Sequence, residues 1–142
     1  MATDVDVPLS RIRIRHLCAT LALLGARLAL WLAPPVAVRW ASRRQVTSLV
    51  SVRAPDVRDS IARAVVSVSV RGPLAFSCLE QSLALVCLLA MRHVPARLVI
   101  GVSRTPLRAH AWVECDGRIL LGESQSHGLT PLTGTAPSPC RG

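Results

Sequence analysis

"FSCLEQSLAL", residues 76–85, decides how the rest of the chain is read. Ser77 and Glu80 stand at the spacing of a capping box, in which the serine hydroxyl accepts from the third helical amide and the glutamate carboxylate accepts from the serine's own amide. The pattern fixes a helix start and places Cys78 at its first position. There the thiol lies beside unpaired backbone amides and the positive end of the helix dipole, a setting that makes a thiolate available and whose amides can hold an oxyanion. A cysteine in such a corner can equally be a small apolar filler. The residues downstream decide between the two.

The apolar helix runs to about Arg92 and is followed by "RLVIGVSR" as a strand, a "TPLR" connection, "HAWVEC", a "DG" turn and "RILLGE". Apolar strands flanking Asp-Gly predict a hairpin with a two-residue turn at Asp116 and Gly117. Cys115 then pairs with Arg118, Val113 with Leu120 and His110 with Glu123, and directly opposed residues have Cβ atoms about 4.5 to 5.5 Å apart. A three-residue loop would instead pair His110 with Gly122. A cysteine at a helix start, a histidine on a strand and a carboxylate on the next strand are the parts of a Cys-His-acid acyl-transfer triad. Glu123 is the expected third member and Asp116 its rival, although an aspartate at a turn tip commonly serves the turn. Trp112 shares the His110 face, and with Gln81 and Glu114 it is a candidate to line the site. His16, His93 and His127 lie in a basic flank, at a helix end and in a polar tail, and none has metal-ligand spacing with the cysteines.

Upstream, "RAPDVRDSIARAVVSVSV" reads as a helix with Pro55 in its first turn and Val57, Ile61, Ala64, Val65 and Val68 on one stripe, though "VVSVSV" also alternates like a strand. Before it, "LCATLALLGARLALWLAP" reads as a helix ended by Pro34 and Pro35, and residues 1–10 read as disordered. Arg27 interrupts an apolar stretch near the lower length limit for a membrane span. The basic start and apolar run also imitate a signal peptide, but Arg27 sits inside the would-be apolar region and five cysteines would enter an oxidising space. The preferred location is cytoplasmic, with peripheral membrane contact through residues 17–33 as a candidate.

The bulk numbers agree with a sticky single domain. The chain has 142 residues, of which 51% are hydrophobic, with a mean hydropathy of +0.42. Its net charge of +9 comes from 17 basic residues, every one an arginine. Those arginines are scattered through apolar segments, with no tyrosine and one phenylalanine to stack on bases, so nucleic acid is not an expected partner. Cys18, Cys87 and Cys115 lie in apolar runs as core fillers, Cys140 lies in the tail, and no CxxC pair suggests zinc. The domain division read from sequence is an N-terminal apolar and basic helical segment over 1–53, a core over 54–127 and a flexible tail over 128–142.

Residues 77–123, "SCLEQSLALVCLLAMRHVPARLVIGVSRTPLRAHAWVECDGRILLGE", resemble the transglutaminase-like leader peptidases of lasso-peptide biosynthesis, the stand-alone peptidase half of the family's B protein. The resemblance rests on the "CLEQSLAL" helix, the "PARLVIGV" strand and "HAWVE" followed by "DG". It implies an α+β fold with a papain-like cysteine protease core, a helical N-terminal segment and a small antiparallel sheet. By position Cys78 is the nucleophile and His110 the general base. The third member is expected to be an acidic residue shortly after the hairpin, commonly aspartate, where this chain reads "LLGESQ" with Glu123. Many family members have arginine before the nucleophile, where this chain has Ser77. The implied partners are a precursor peptide, a small leader-recognition protein and a separate ATP-dependent lasso cyclase, and the implied chemistry needs no metal or cofactor. Other readings are a general transglutaminase-like peptidase or amidase, and a non-catalytic peptide-binding or membrane-associated scaffold of the same fold.

Overall fold

The computed structural model describes residues 9–43 and 55–132. Its elements run α1 (Leu9–Leu32), α2 (Pro34–Arg43), α3 (Pro55–Arg71), α4 (Cys78–Met91), β1 (Arg97–Arg104), β2 (Leu107–Cys115), β3 (Arg118–Leu121), α5 (Glu123–Ser126) and β4 (Thr130–Pro131). Helices precede a four-stranded antiparallel sheet of order β3-β2-β1-β4, the α+β arrangement expected.

Several local rules account for these boundaries. Proline at the first helical position loses no hydrogen bond, and Pro55 opens α3 in that way. Pro34 does the same for α2. The expected stop at Pro34 and Pro35 is therefore a break at Ala33 followed at once by a second helix. The chain is already helical at Leu9 and Ser10, which corrects the reading of residues 9 and 10 as disordered; residues 1–8 lie outside the described residues. "VVSVSV" is wholly helical. Its branched residues alternate like a strand's, but Ile61, Ala64 and Val65 form a buried stripe of helical spacing, and that packing outweighs the local preference.

The core lies between the helices and one face of the sheet. Ala19, Leu23 and Ala26 from α1, Val65 from α3, Leu85 and Leu89 from α4, and Leu98, Ala111, Val113 and Cys115 from the strands belong to one buried cluster. α1 thus packs into the same buried cluster as the sheet. Its opposite side stays exposed, with Leu17, Leu21 and Leu28 each more than half accessible. By length and composition alone Ser10–Leu32 could cross a membrane, but part of this helix is built into the core.

β2 carries residues on both faces. Ala111, Val113 and Cys115 point to the helical core, so His110, Trp112 and Glu114 alternate to the other face. The Trp112 ring lies over Gly101, where a Cβ would come within 2.6 Å of it, so glycine there is a steric necessity. Leu129 approaches the same point, and Thr130–Pro131 pairs with Val102 and Gly101 as β4. Thr130–Pro131, in the tail expected from residue 128 onward, therefore adds an edge strand beside β1.

Candidate active site

α4 begins as its sequence predicts. Ser77 is extended, at φ −71° and ψ 161°; its hydroxyl accepts from the Glu80 amide at 3.3 Å, and Glu80 Oε2 accepts from the Ser77 amide at 2.6 Å. Cys78 is the first helical residue, half-buried and free of any disulfide. Glu80 is also gripped from α1. Arg27 Nε donates to Glu80 Oε1 at 2.6 Å and Arg27 Nη2 to Glu80 Oε2 at 3.3 Å, while Nη2 also donates to the Ala75 carbonyl. The guanidinium lies 4.7 Å from the centre of the Phe76 ring. Arg27 and the capping box together hold Glu80 below its ordinary carboxylate range, the Arg27 hydrogen bond contributing most against the opposing effect of burial. One arginine of the first helix thus fixes the three residues leading into Cys78.

The same helix is tied to the sheet one turn later. Ser82 is fully buried and donates to the Ala111 carbonyl at 3.2 Å. Residues four apart share a helix face and are about 6 Å apart along its axis. The bond thus ties α4, four residues after Cys78, to β2 at Ala111, the chain neighbour of His110, whose side chain alternates to the other face of the sheet.

The hairpin turn forms as predicted, with Asp116 at φ 49° and Gly117 at φ 75° and Cys115 paired with Arg118. Beyond that the expected register fails. A β-bulge between Val113 and Glu114 makes Val113 pair with Leu121 instead of Leu120, β3 ends there, and Gly122 turns the chain at φ 88°. Glu123 opens the short helix α5 and is exposed, so the predicted His110–Glu123 cross-strand pair is not made. Asp116 lies at the hairpin tip, bound to Arg58 at 2.6 Å. Six residue steps along the strand and into its turn, about 20 Å if extended, separate it from His110.

His110 instead backs onto Gly122, where a Cβ would stand 2.6 Å from Nε2 and 3.0 Å from the Trp112 Cβ. Burial lowers the His110 pKa, and a backbone hydrogen bond with Gly122 partly restores it, which favours the neutral base. Its Nε2 is buried with no hydrogen-bond partner among the described residues, so neither the Cys78 thiol nor the Glu123 carboxylate bonds to that nitrogen.

The three candidate lining residues serve the scaffold. Trp112 Nε1 donates to Glu114 Oε1 at 2.9 Å, and Arg97 donates to Glu114 Oε2 through Nη2 at 2.6 Å and Nε at 3.0 Å, so both carboxylate oxygens are engaged. Trp112 is itself only 4% exposed. Gln81 Nε2 donates to the Phe76 carbonyl at 3.0 Å, supporting the loop before Cys78. Sequence reasoning missed the roles of Arg27 and Ser82, and named Gly122 only as the His110 partner of the alternative register. The signals were present: Arg27 is the one charge in the apolar stretch 17–33 and Ser82 a lone hydroxyl in an apolar run.

Comparison with known proteins gives one family. The transglutaminase-like superfamily matches residues 10–134, a span that takes in the helical N-terminal segment as well as the sheet. No curated protein and no solved structure matched.

Proposed function

Because the chain belongs to the transglutaminase-like superfamily, whose members are cysteine peptidases and transferases, we propose that it is the cysteine peptidase that removes the leader from a ribosomally made lasso precursor peptide. The observation that carries this reading is the capped start of α4, which places Cys78 at the first helical position, where amides have no intrahelical partner, and is anchored by Ser82 to the strand bearing His110. The "HAWVE" and "DG" elements that resemble the leader peptidases lie on that strand and its turn.

In this reaction His110 takes the thiol proton or holds the thiolate, and Cys78 attacks the carbonyl at the junction between leader and core. Amides at the start of α4 stabilise the oxyanion. The tetrahedral species collapses to a thioester on the leader, and the core leaves with a new amino terminus protonated by His110. Water, deprotonated by His110, then hydrolyses the thioester and frees Cys78. The third position is assigned to Glu123, which must turn in from its exposed place at the start of α5 when substrate binds. A small recognition protein presents the leader, and an ATP-dependent cyclase receives the core for macrolactam closure.

The unpartnered imidazole nitrogen favours one competing reading, a peptide-binding scaffold that does no chemistry. Mass spectrometry of the precursor incubated with the recognition protein and this chain separates the two. Cleavage at a single junction by wild type and none by Cys78→Ala, with binding retained, is expected of the peptidase. Equal function of the two chains would overturn it.

A further inference from the structure

Beside the start of α4 lies a hollow of about 700 Å³. One wall is Ser77 and Glu80 and the other is Leu24, Leu28 and Trp31 of α1. Those three are 41%, 55% and 81% exposed, so their apolar surface is uncovered in the protein alone. The charges in the wall belong to Arg27 and Glu80, which neutralise each other at 2.6 Å. What the hollow offers a ligand is therefore apolar surface.

Its position gives the occupant. Ser77 is the chain neighbour of Cys78, and consecutive Cα atoms are about 3.8 Å apart. An extended peptide advances about 3.3 Å per residue, so a side chain one or two residues from a carbonyl attacked by Cys78 falls within reach of this wall. A larger apolar groove of about 830 Å³ between α1, α2 and α4 reaches Met91 and Arg92. That groove also takes in Leu83, Cys87 and Leu88, so it begins about 7.5 Å along α4 from Cys78, but neither Cys78 nor its chain neighbours line it, whereas Ser77 lines the hollow.

We propose that the hollow is a substrate subsite for an apolar side chain close to the scissile bond, with Leu28 and Trp31 setting the preference. The proposal rests on Cys78 being the nucleophile. It explains why α1 is exposed and apolar at the level of the active site while its opposite face is buried in the core.

The test uses the full chain and two thiol reagents, iodoacetamide and N-hexyl-iodoacetamide, with Cys78 modification followed by mass-spectrometric peptide mapping. Each reagent forms a carbon–sulfur bond and releases iodide, and they differ only in the apolar tail. Relative to free cysteine, the hexyl reagent is expected to modify Cys78 roughly tenfold faster than iodoacetamide, about what burying two methylene groups gives. Leu28→Ser and Trp31→Ser each bring that ratio toward one. Met91→Ser removes an equally accessible side chain at the far end of α4 and leaves the ratio at the wild-type value. A reactive Cys78 without preference for the hexyl reagent, or a preference that survives both α1 substitutions, overturns the subsite alone. A Cys78 that reacts with neither reagent overturns the nucleophile reading and the subsite with it.

Discussion

Ser82→Ala removes one hydroxyl from the interior and tests whether that hydroxyl holds the site together. Ser82 is 0% exposed, and its hydrogen bond to the Ala111 carbonyl joins α4 to β2 beyond the last pair of β3. A neutral hydrogen bond contributes about 0.5 to 1.5 kcal/mol net, and a buried carbonyl left unsatisfied costs about 1 to 3 kcal/mol. The loss is therefore about 1 to 2 kcal/mol, a fall in Tm of roughly 3 to 7 °C for a chain of this size. Leu85→Ala, on the same helix and equally buried, creates a cavity and costs about 2.7 to 5 kcal/mol. Urea unfolding measures both losses, and precursor cleavage is then compared at a temperature where both variants are fully folded. Ser82→Ala, although the more stable, is expected to lose at least tenfold in kcat because the helix bearing Cys78 is no longer fixed against the strand bearing His110. If Ser82→Ala stays within 0.3 kcal/mol of wild type, or cleaves as fast once folded, the hydrogen bond does not position the site.

Gly122→Ala places a side chain where φ is +88° and where Cβ would stand 2.6 Å from His110 Nε2; a stability loss of about 2 kcal/mol is expected from the backbone alone, and urea unfolding with a cleavage assay would show it together with near-complete loss of turnover. Ser77→Ala removes the cap hydroxyl, should cost about 1 kcal/mol, and should slow iodoacetamide modification of Cys78; unchanged stability and reactivity would count against the cap. The pH dependence of stability should fall in two stages. The His110 pKa is lowered by burial, so its contribution is present above about pH 6.5 and declines as the pH falls through the lower folded value, and His110→Gln should remove this stage. Glu80 is held low chiefly by Arg27, so its contribution is present above about pH 4.3 and is lost as the pH falls through its folded value; Glu80→Gln should remove that stage.

The parts of this protein that could be read from sequence are those set by neighbours in the chain. Ser77 and Glu80 specify the cap within four residues, and Asp116 and Gly117 specify the turn within two. Glu123 failed because its place depends on a bulge in the ladder, and nothing between Arg118 and Glu123 in the sequence announces the extra residue that ends the pairing at Leu121. The same limit hid the role of Arg27. Its charge in an apolar helix was visible, but the partner that explains it, Glu80, lies 53 residues away. The sequence puts Trp112 on the His110 face of β2, yet its duties and those of Glu114 are set by Gly101 and Arg97 on the neighbouring strand.

That 53-residue span between Arg27 and Glu80 also sets a schedule for synthesis. A ribosome adds about 5 to 20 residues per second, so roughly 3 to 10 seconds pass after α1 is made before the residue that secures it is added. Once α1 has left the exit tunnel, the nascent chain presents both its apolar sides to the cell until the capped helix and the core strands follow. Slower decoding after α1 lengthens this exposure, and an expression host well supplied with nascent-chain chaperones shortens its consequences.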